Sequence, residues 1–456
     1  MQLLQSINPT NGKLIKTYPI TSEKKVASNI QLAETTFEEW RHRSIKERAT
    51  VLKKIAVALR KSKTKLATLA SLEMGKPYLQ SVAEVDKCAN TLDFYANNGA
   101  SFLADEIVKT EASKSYISYQ PLGIILAIMP WNFPYWQVFR AMAPALMAGN
   151  VMLLKHASNV SGCALAIEAI LLESGAPAGL FQTLLLPSSQ VEKLIAHPSV
   201  AAVTFTGSTE AGRKVASIAG AHIKKQVLEL GGNDAYIILE DADLDLAATT
   251  CVNGRLINSG QSCVAAKRFI AVKPVFKAFA NKVTALMSAA TYGDPMDTHS
   301  TIGPMARMDL RDQLHEQVMQ SIAKGAKLVC GGFIPEGEGA FYPPTVLTHV
   351  KKGMPAYHEE LFGPVAVIIE AKDETDAIHI ANDSDFGLGA GIFSKNKKRA
   401  EAIAAKELQA GNCFVNSFVH SNPHLPFGGV KQSGYGRELS VFGIREFVNI
   451  KTVFIQ

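Results

Sequence analysis

The six residues Asn258-Ser259-Gly260-Gln261-Ser262-Cys263 place a thiol just after a glycine turn, between the apolar runs Leu256-Ile257 and Val264-Ala265-Ala266. A cysteine in that setting is either a small buried hydrophobe or a nucleophile. Two further residues carry chemistry that a nucleophilic thiol could use. Glu229 sits inside the run Leu228-Glu229-Leu230, ahead of Gly231-Gly232. Burial there would disfavour its charged form and raise its pKa, which suits a general base near neutral pH; an ion-paired structural glutamate is the other reading. Asn132 lies in Pro130-Trp131-Asn132-Phe133-Pro134. Two prolines stiffen that turn, so the amide can offer its NH₂ to an oxyanion, or else cap the helix that follows.

Phosphate chemistry is the next possibility. Gly207-Ser208-Thr209-Glu210-Ala211-Gly212 follows a predicted strand and opens a predicted helix. A nucleotide-hydrolysing loop ends in Gly-Lys-Ser/Thr, whereas Gly212 is followed by Arg213, Lys214 and Val215, which leaves no hydroxyl for a metal. The spacing is not Gly-x-Gly-x-x-Gly either. A helix N-terminus after Gly-Ser still presents free amides to a phosphate. Lys155 ends the run Leu153-Leu154-Lys155, and Glu360 stands in Glu359-Glu360-Leu361-Phe362-Gly363-Pro364. Read singly, each is a solvated charge.

Taken in order, the segments around Asn132, Glu229, Cys263 and Glu360 resemble the aldehyde dehydrogenase family, over nearly the whole chain. The resemblance implies oxidation of an aldehyde to a carboxylic acid, through a thiohemiacetal and then a thioester, with NAD or NADP and no metal. Cys263 would be the nucleophile, Glu229 the general base, and Asn132 an oxyanion donor beside the Cys263 backbone N–H. Gly207 and Ser208 would cradle the cofactor pyrophosphate and Lys155 the adenosine ribose. Met129 and Trp131 would line the cofactor cleft, and Glu360 and Phe362 would hold the nicotinamide ribose and ring. Many NAD-using members carry Glu where this chain has Ser158. A carboxylate there would repel a 2′-phosphate, so Ser158 leaves NADP permitted.

By the same resemblance Arg140, eight residues after Asn132, matches an arginine that grips the substrate carboxylate in semialdehyde-oxidising members. Ser421 is its candidate partner, and Trp136 and Phe418 would wall a short aliphatic chain. Succinate semialdehyde is the favoured substrate, and a broad-specificity enzyme for medium-length aldehydes is the alternative. A cofactor-independent thiol hydrolase using Cys263 with a histidine such as His420 or His424 represents another class. A cofactor-binding protein that has lost catalysis is a third reading. Some members carry a second cysteine two residues after the nucleophile; here that residue is Ala265.

Two frameworks are needed to position these residues. Short apolar runs at 124–129, 150–154, 181–186 and 201–205 alternate with helical stretches near 138–148, 161–174 and 209–219. That alternation predicts a parallel sheet with helices on both faces. A second set of runs follows at 268–272, 365–369, 390–393 and 413–415. The fold class is therefore α/β, with two open-sheet α/β domains and ligands at the carboxyl ends of strands. A Rossmann-like cofactor domain covers 1–112 and 121–231, and a catalytic domain covers 232–436. The extended segments 113–120 and 437–456 invite pairing; by resemblance they form a small bridging β arm for oligomerisation, which implies a homodimer or homotetramer. Ser44-x-x-Glu47 and Ser81-x-x-Glu84 both read as capping boxes opening helices.

Composition fits this reading. The net charge of +6 on 456 residues is mild and the two signs alternate, which argues against nucleic acid. Six cysteines without paired spacing argue against a disulfide framework or zinc site and for a reducing compartment. No export signal and no membrane-length apolar run stand out, so no membrane partner is expected and the expected location is the cytoplasm.

Overall fold

The computed structural model describes residues 3–456. Its first sheet has six strands in the order Gly434–Tyr435, Lys225–Glu229, Val200–Thr206, Ile124–Met129, Val151–His156 and Phe181–Thr183. The last five run parallel. Ile124–Met129 and Val151–His156 are buried at every residue, as expected for strands covered on both faces by helices. Helices Glu23–Trp40, Ile45–Lys61, Lys63–Met74 and Tyr78–Phe102 extend this unit at its N-terminal side, and all contribute to one core.

The chain crosses to the second sheet between Glu229 and Ala235. This sheet has seven strands, ordered Lys327–Cys330, Thr345–Thr348, Val365–Ala371, Arg268–Val272, Ala235–Ile238, Gly389–Phe393 and Asn412–Val415. Only the Lys327–Cys330 edge is antiparallel. A third, antiparallel sheet joins Val448–Ile455, Lys114–Pro121 and Glu106–Ile107, and exposes Ile107, Ile450, Phe454 and Ile455. Among the described residues no helix is long and apolar enough to cross a membrane.

Three local expectations need revision. Residues near 434, assigned to the second domain, return to the first: Gly434 and Tyr435 pair antiparallel with Glu229 and Leu228. Helix Ser440–Glu446, assigned to the arm, packs against Trp136–Met147 and Tyr78–Phe102. Ser44 and Glu47 do form a capping box, but Ser81 and Glu84 lie within a helix that begins at Tyr78 after Pro77. The Pro77 ring fixes that start instead, and Glu84 is left for other work.

Candidate active site

The nucleophile loop is bent by three successive left-handed residues, Asn258, Ser259 and Gly260. The two non-glycine members each cost about 1–3 kcal/mol, so the loop persists only because its surroundings hold it. Asn258 Nδ2 donates to Asn132 O at 2.6 Å and to Gln261 O at 3.1 Å, and Gln80 Oε1 accepts from Asn258 N at 2.7 Å. Ser259 Oγ accepts from Gly303 N at 3.0 Å. Gly260 has no alternative: φ is +77° and a Cβ there would collide with the carbonyl of Gly363. The loop therefore abuts the segment that carries Glu360.

Cys263 is half-buried and faces a cleft of 380 Å³ between the two domains. Burial pushes its thiol up to about 12; Arg140 and Lys267 oppose the shift, whereas Glu229 and Glu360 add to it. The resting thiol is thus protonated, and attack requires a base. Lys267 Nζ donates to Ser262 O at 3.1 Å and Cys263 O at 2.6 Å, and lies 3.2 Å from Glu360 Oε1. Sequence reading missed Lys267. A cation four residues after the nucleophile, at the mouth of strand Arg268–Val272, was the available signal.

Asn132 is buried and does not cap the helix that follows it. Its Nδ2 donates to Gln261 O at 3.1 Å, and its Oδ1 accepts from Gln137 Nε2 at 3.5 Å. The NH₂ is thereby directed to the loop that bears Cys263. Glu84 supplies the missing helix cap from a different helix: Tyr135 N and Trp136 N both donate to its Oε1 at 2.8 Å. Lys76 pairs with Glu84 and stacks 3.7 Å from the Phe133 ring. On the other side His156 contacts Pro134 O through Nε2 at 2.9 Å, while Nδ1 accepts from Ala157 N. Burial pushes His156 down to about 4, so it stays neutral and donates from Nε2.

Glu229 closes strand Lys225–Glu229 at 1% exposure, and neither carboxylate oxygen has a hydrogen-bond partner. Its pKa lies well above the usual range because of burial first and then the nearby Glu438; Arg140 and Arg437 oppose the shift. A carboxyl group in this environment holds its proton more tightly than usual, and acts as a base only once that proton has left. Arg140 is also buried, and two of its three guanidinium nitrogens are engaged: Nε pairs with Glu438, Nη2 donates to Thr206 Oγ1 at 3.4 Å, and the group lies 4.8 Å from the Phe427 ring. The expected carboxylate clamp is thus held on one side by an internal ion pair, and its Nη1 makes no hydrogen bond among the described residues. It does not line the cleft.

The cleft wall from the first domain is Gly207, Ser208 and Thr209, at the start of helix Thr209–Ala221. Ser208 caps that helix by accepting from Ala211 N, so the first-turn amides remain open to an anion. Glu360 and Phe362 line the opposite side, and Trp131 meets Phe362 edge to face at 5.8 Å. A Cβ on Gly231 would lie 2.5 Å from Glu360 Oε2, so the glycine makes room for that carboxylate. Open amides, a carboxylate and an aromatic wall in one cleft fit a dinucleotide. Met129 is buried at a strand end. Lys155 and Ser158 follow on the neighbouring strand and line no part of this cleft, although Ser158 is exposed.

Of the other substrate-side residues, Trp136 and Ser421 are brought together through Lys87, which the sequence reading passed over. Lys87 Nζ donates to Ser421 Oγ at 2.7 Å and sits 4.1 Å above the Trp136 ring. Phe418 packs on Gly254. His420 contacts Phe418 O and His424 packs on Phe94; neither lines the cleft with Cys263, which removes the histidine partner of a thiol hydrolase.

Comparison with known proteins gives the same picture. The signature of the aldehyde dehydrogenase family matches residues 2–453. The chain is 47% identical to the succinate semialdehyde dehydrogenase, NAD(P)+, of Escherichia coli strain K12, over 98% of this chain and 97% of that one. It is 46% identical to succinate-semialdehyde dehydrogenase (NADP+) 1 of Mycobacterium tuberculosis strain H37Rv, over 99% of each. Among solved structures it resembles the succinic semialdehyde dehydrogenase of Streptococcus pyogenes in complex with NADP+, at a TM-score of 0.97 and 39% identity over 99% of each chain.

Proposed function

The chain belongs to the aldehyde dehydrogenase family, and on that footing we propose that it oxidises succinate semialdehyde to succinate with NADP or NAD. The observation that carries this reading is the convergence of a cleft-facing thiol, a directed amide and a carboxylate without a partner at the junction of two α/β sheets. The names of the relatives support the substrate.

Glu229, in its ionised form, takes the proton of Cys263 and passes it to solvent, and the thiolate attacks the aldehyde carbon. Asn132 Nδ2 and the Cys263 backbone N–H donate to the oxyanion that forms. Ser208 and the open helix amides would hold the pyrophosphate, Glu360 the nicotinamide ribose, and Lys155, on the neighbouring strand outside the lining of the cleft, the adenosine ribose. When bound, the nicotinamide supplies the hydride acceptor. Cys263 carries the acyl group as a thioester until Glu229 takes a proton from water and the acid departs. Ser158 adds no negative charge beside the ribose, so NADP is permitted as well as NAD. The sheet Val448–Ile455, Lys114–Pro121, Glu106–Ile107 serves as the contact between copies in a homodimer or homotetramer. Six unpaired cysteines accord with work in the cytoplasm.

The test is reduced-cofactor absorbance with succinate semialdehyde and with butanal, each with NADP and with NAD. The expected result is a higher kcat/KM for the semialdehyde. Equal values for both aldehydes would leave a broad-specificity enzyme.

A further inference from the structure

The carbonyls behind Cys263 are held by a cation. Lys267 stands directly ahead of strand Arg268–Val272, where its backbone N–H donates to Asp234 O at 3.1 Å and its carbonyl accepts from Val367 N at 3.3 Å. Its side chain is buried and turns back to the nucleophile loop. There Nζ donates to Ser262 O at 3.1 Å and to Cys263 O at 2.6 Å, and pairs with Glu360 Oε1 at 3.2 Å. Glu360 is itself placed by Gly232 N, which donates to Oε1 at 3.1 Å. A Cβ on Gly232 would lie 2.7 Å from Cys263 O, so the glycine leaves room for that carbonyl beside the ammonium.

Ser262 O belongs to the same peptide unit as the Cys263 N–H. That unit is trans, so the carbonyl and the N–H point in opposite directions. Ala265 N at 3.1 Å and Lys267 Nζ both donate to Ser262 O, whereas Cys263 N donates to no group among the described residues. The unit is therefore gripped at its oxygen end and free at its nitrogen end. A charged donor on the oxygen draws electron density along the amide and strengthens its N–H as a donor. A solvated lysine would do little of this, but Lys267 is sealed from water, where its field is less screened.

We infer that Lys267 is a positioning residue for the oxyanion: acting through the Ser262–Cys263 peptide, it directs and strengthens the Cys263 N–H on which the oxyanion forms. It lines no part of the cleft and acts only through that peptide. Through Glu360 the same ammonium ties the nucleophile backbone to the side of the cleft assigned to the nicotinamide ribose. The role rests on the proposed reading of Cys263 as nucleophile and is independent of which aldehyde is oxidised.

The test compares two reactions of the Cys263 thiolate in the full-length enzyme. p-Nitrophenyl acetate acylates it through a tetrahedral oxyanion, with release of nitrophenolate in the first turnover. Iodoacetamide alkylates it with loss of iodide and forms no oxyanion; this reaction is followed on the peptide that carries Cys263. The ratio of the two rates cancels any change in the amount of thiolate. In Lys267→Met that ratio should fall about tenfold, less than the loss of a whole oxyanion donor. Lys267→Gln, which keeps a donor without the charge, should lose about threefold, and serves if Lys267→Met folds poorly. Lys267→Arg should recover most of the ratio. An unchanged ratio in these variants, whether both rates fall or neither does, would overturn the inference and leave Lys267 as packing behind the loop. Failure of the underlying reading looks different: Cys263→Ala would release nitrophenolate as fast as the unmodified enzyme.

Discussion

The nucleophile loop and the surroundings of Lys87 are held in different ways. Asn258, Ser259 and Gly260 are fixed in a costly left-handed bend by Asn132, Gln80, Gly303 and Gly363. Most of those contacts are to backbone groups, so they do not depend on which aldehyde arrives. Around Lys87 the contacts are between side chains on separate helices and a loop, and a charge is left without a counter-charge. The first region is fixed by the backbone whatever its substrate, whereas the second keeps its arrangement only while its side chains are unchanged. Substitutions at the first should lower turnover of every substrate.

The largest expected effect is at the loop. Cys263→Ala should lower kcat for all aldehydes by on the order of 10⁵-fold while NADP still quenches tryptophan fluorescence with the Kd of the unmodified enzyme. Selective loss of one aldehyde would break the division just drawn. Next is Glu229→Gln, for which steady-state kcat should fall by about 10²–10⁴-fold. Rapid mixing should decide whether one equivalent of reduced cofactor still forms before the slow phase, as a role in thioester hydrolysis requires.

The smallest effect is one of pH, and it sharpens the comparison. Glu229 has a raised pKa, so activity that needs its carboxylate should climb as pH rises for either aldehyde. Plots of kcat/KM against pH should therefore rise together for succinate semialdehyde and butanal, by at most about tenfold per unit. Curves that diverge on the acid side would deny Glu229 that shared part.

Legibility in the sequence follows the same division. Asn132, Glu229, Cys263 and Glu360 sit in turns rich in proline and glycine at strand ends, where backbone geometry restricts the residue types and local pattern betrays the site. The alternation of apolar runs with helical stretches was equally local. Lys87 lies in a long helix whose pattern reads as ordinary amphipathic surface, and only the fold shows that its face meets Trp136 and Ser421. Arg140 had the right spacing from Asn132, but its partner Glu438 is remote in the chain, so nothing local revealed the ion pair. Ser81-x-x-Glu84 had the letters of a capping box, whereas the helix already begins at Tyr78; Glu84 caps a different helix.

The strand Gly434–Tyr435 has a consequence for how the protein is made. It closes the edge of the first sheet beside Lys225–Glu229, pairing Gly434 with Glu229 itself. On the ribosome the first domain emerges well before that strand, by roughly 10–40 s at ordinary elongation rates. Throughout that interval the strand ending in Glu229 is a bare edge with unpaired amides and carbonyls, open to pairing with a neighbouring nascent chain. The segment with the most reason to need a chaperone is thus the one that carries the base, and slower translation between residues 230 and 434 should reduce the yield of soluble enzyme without altering the turnover of the molecules that fold.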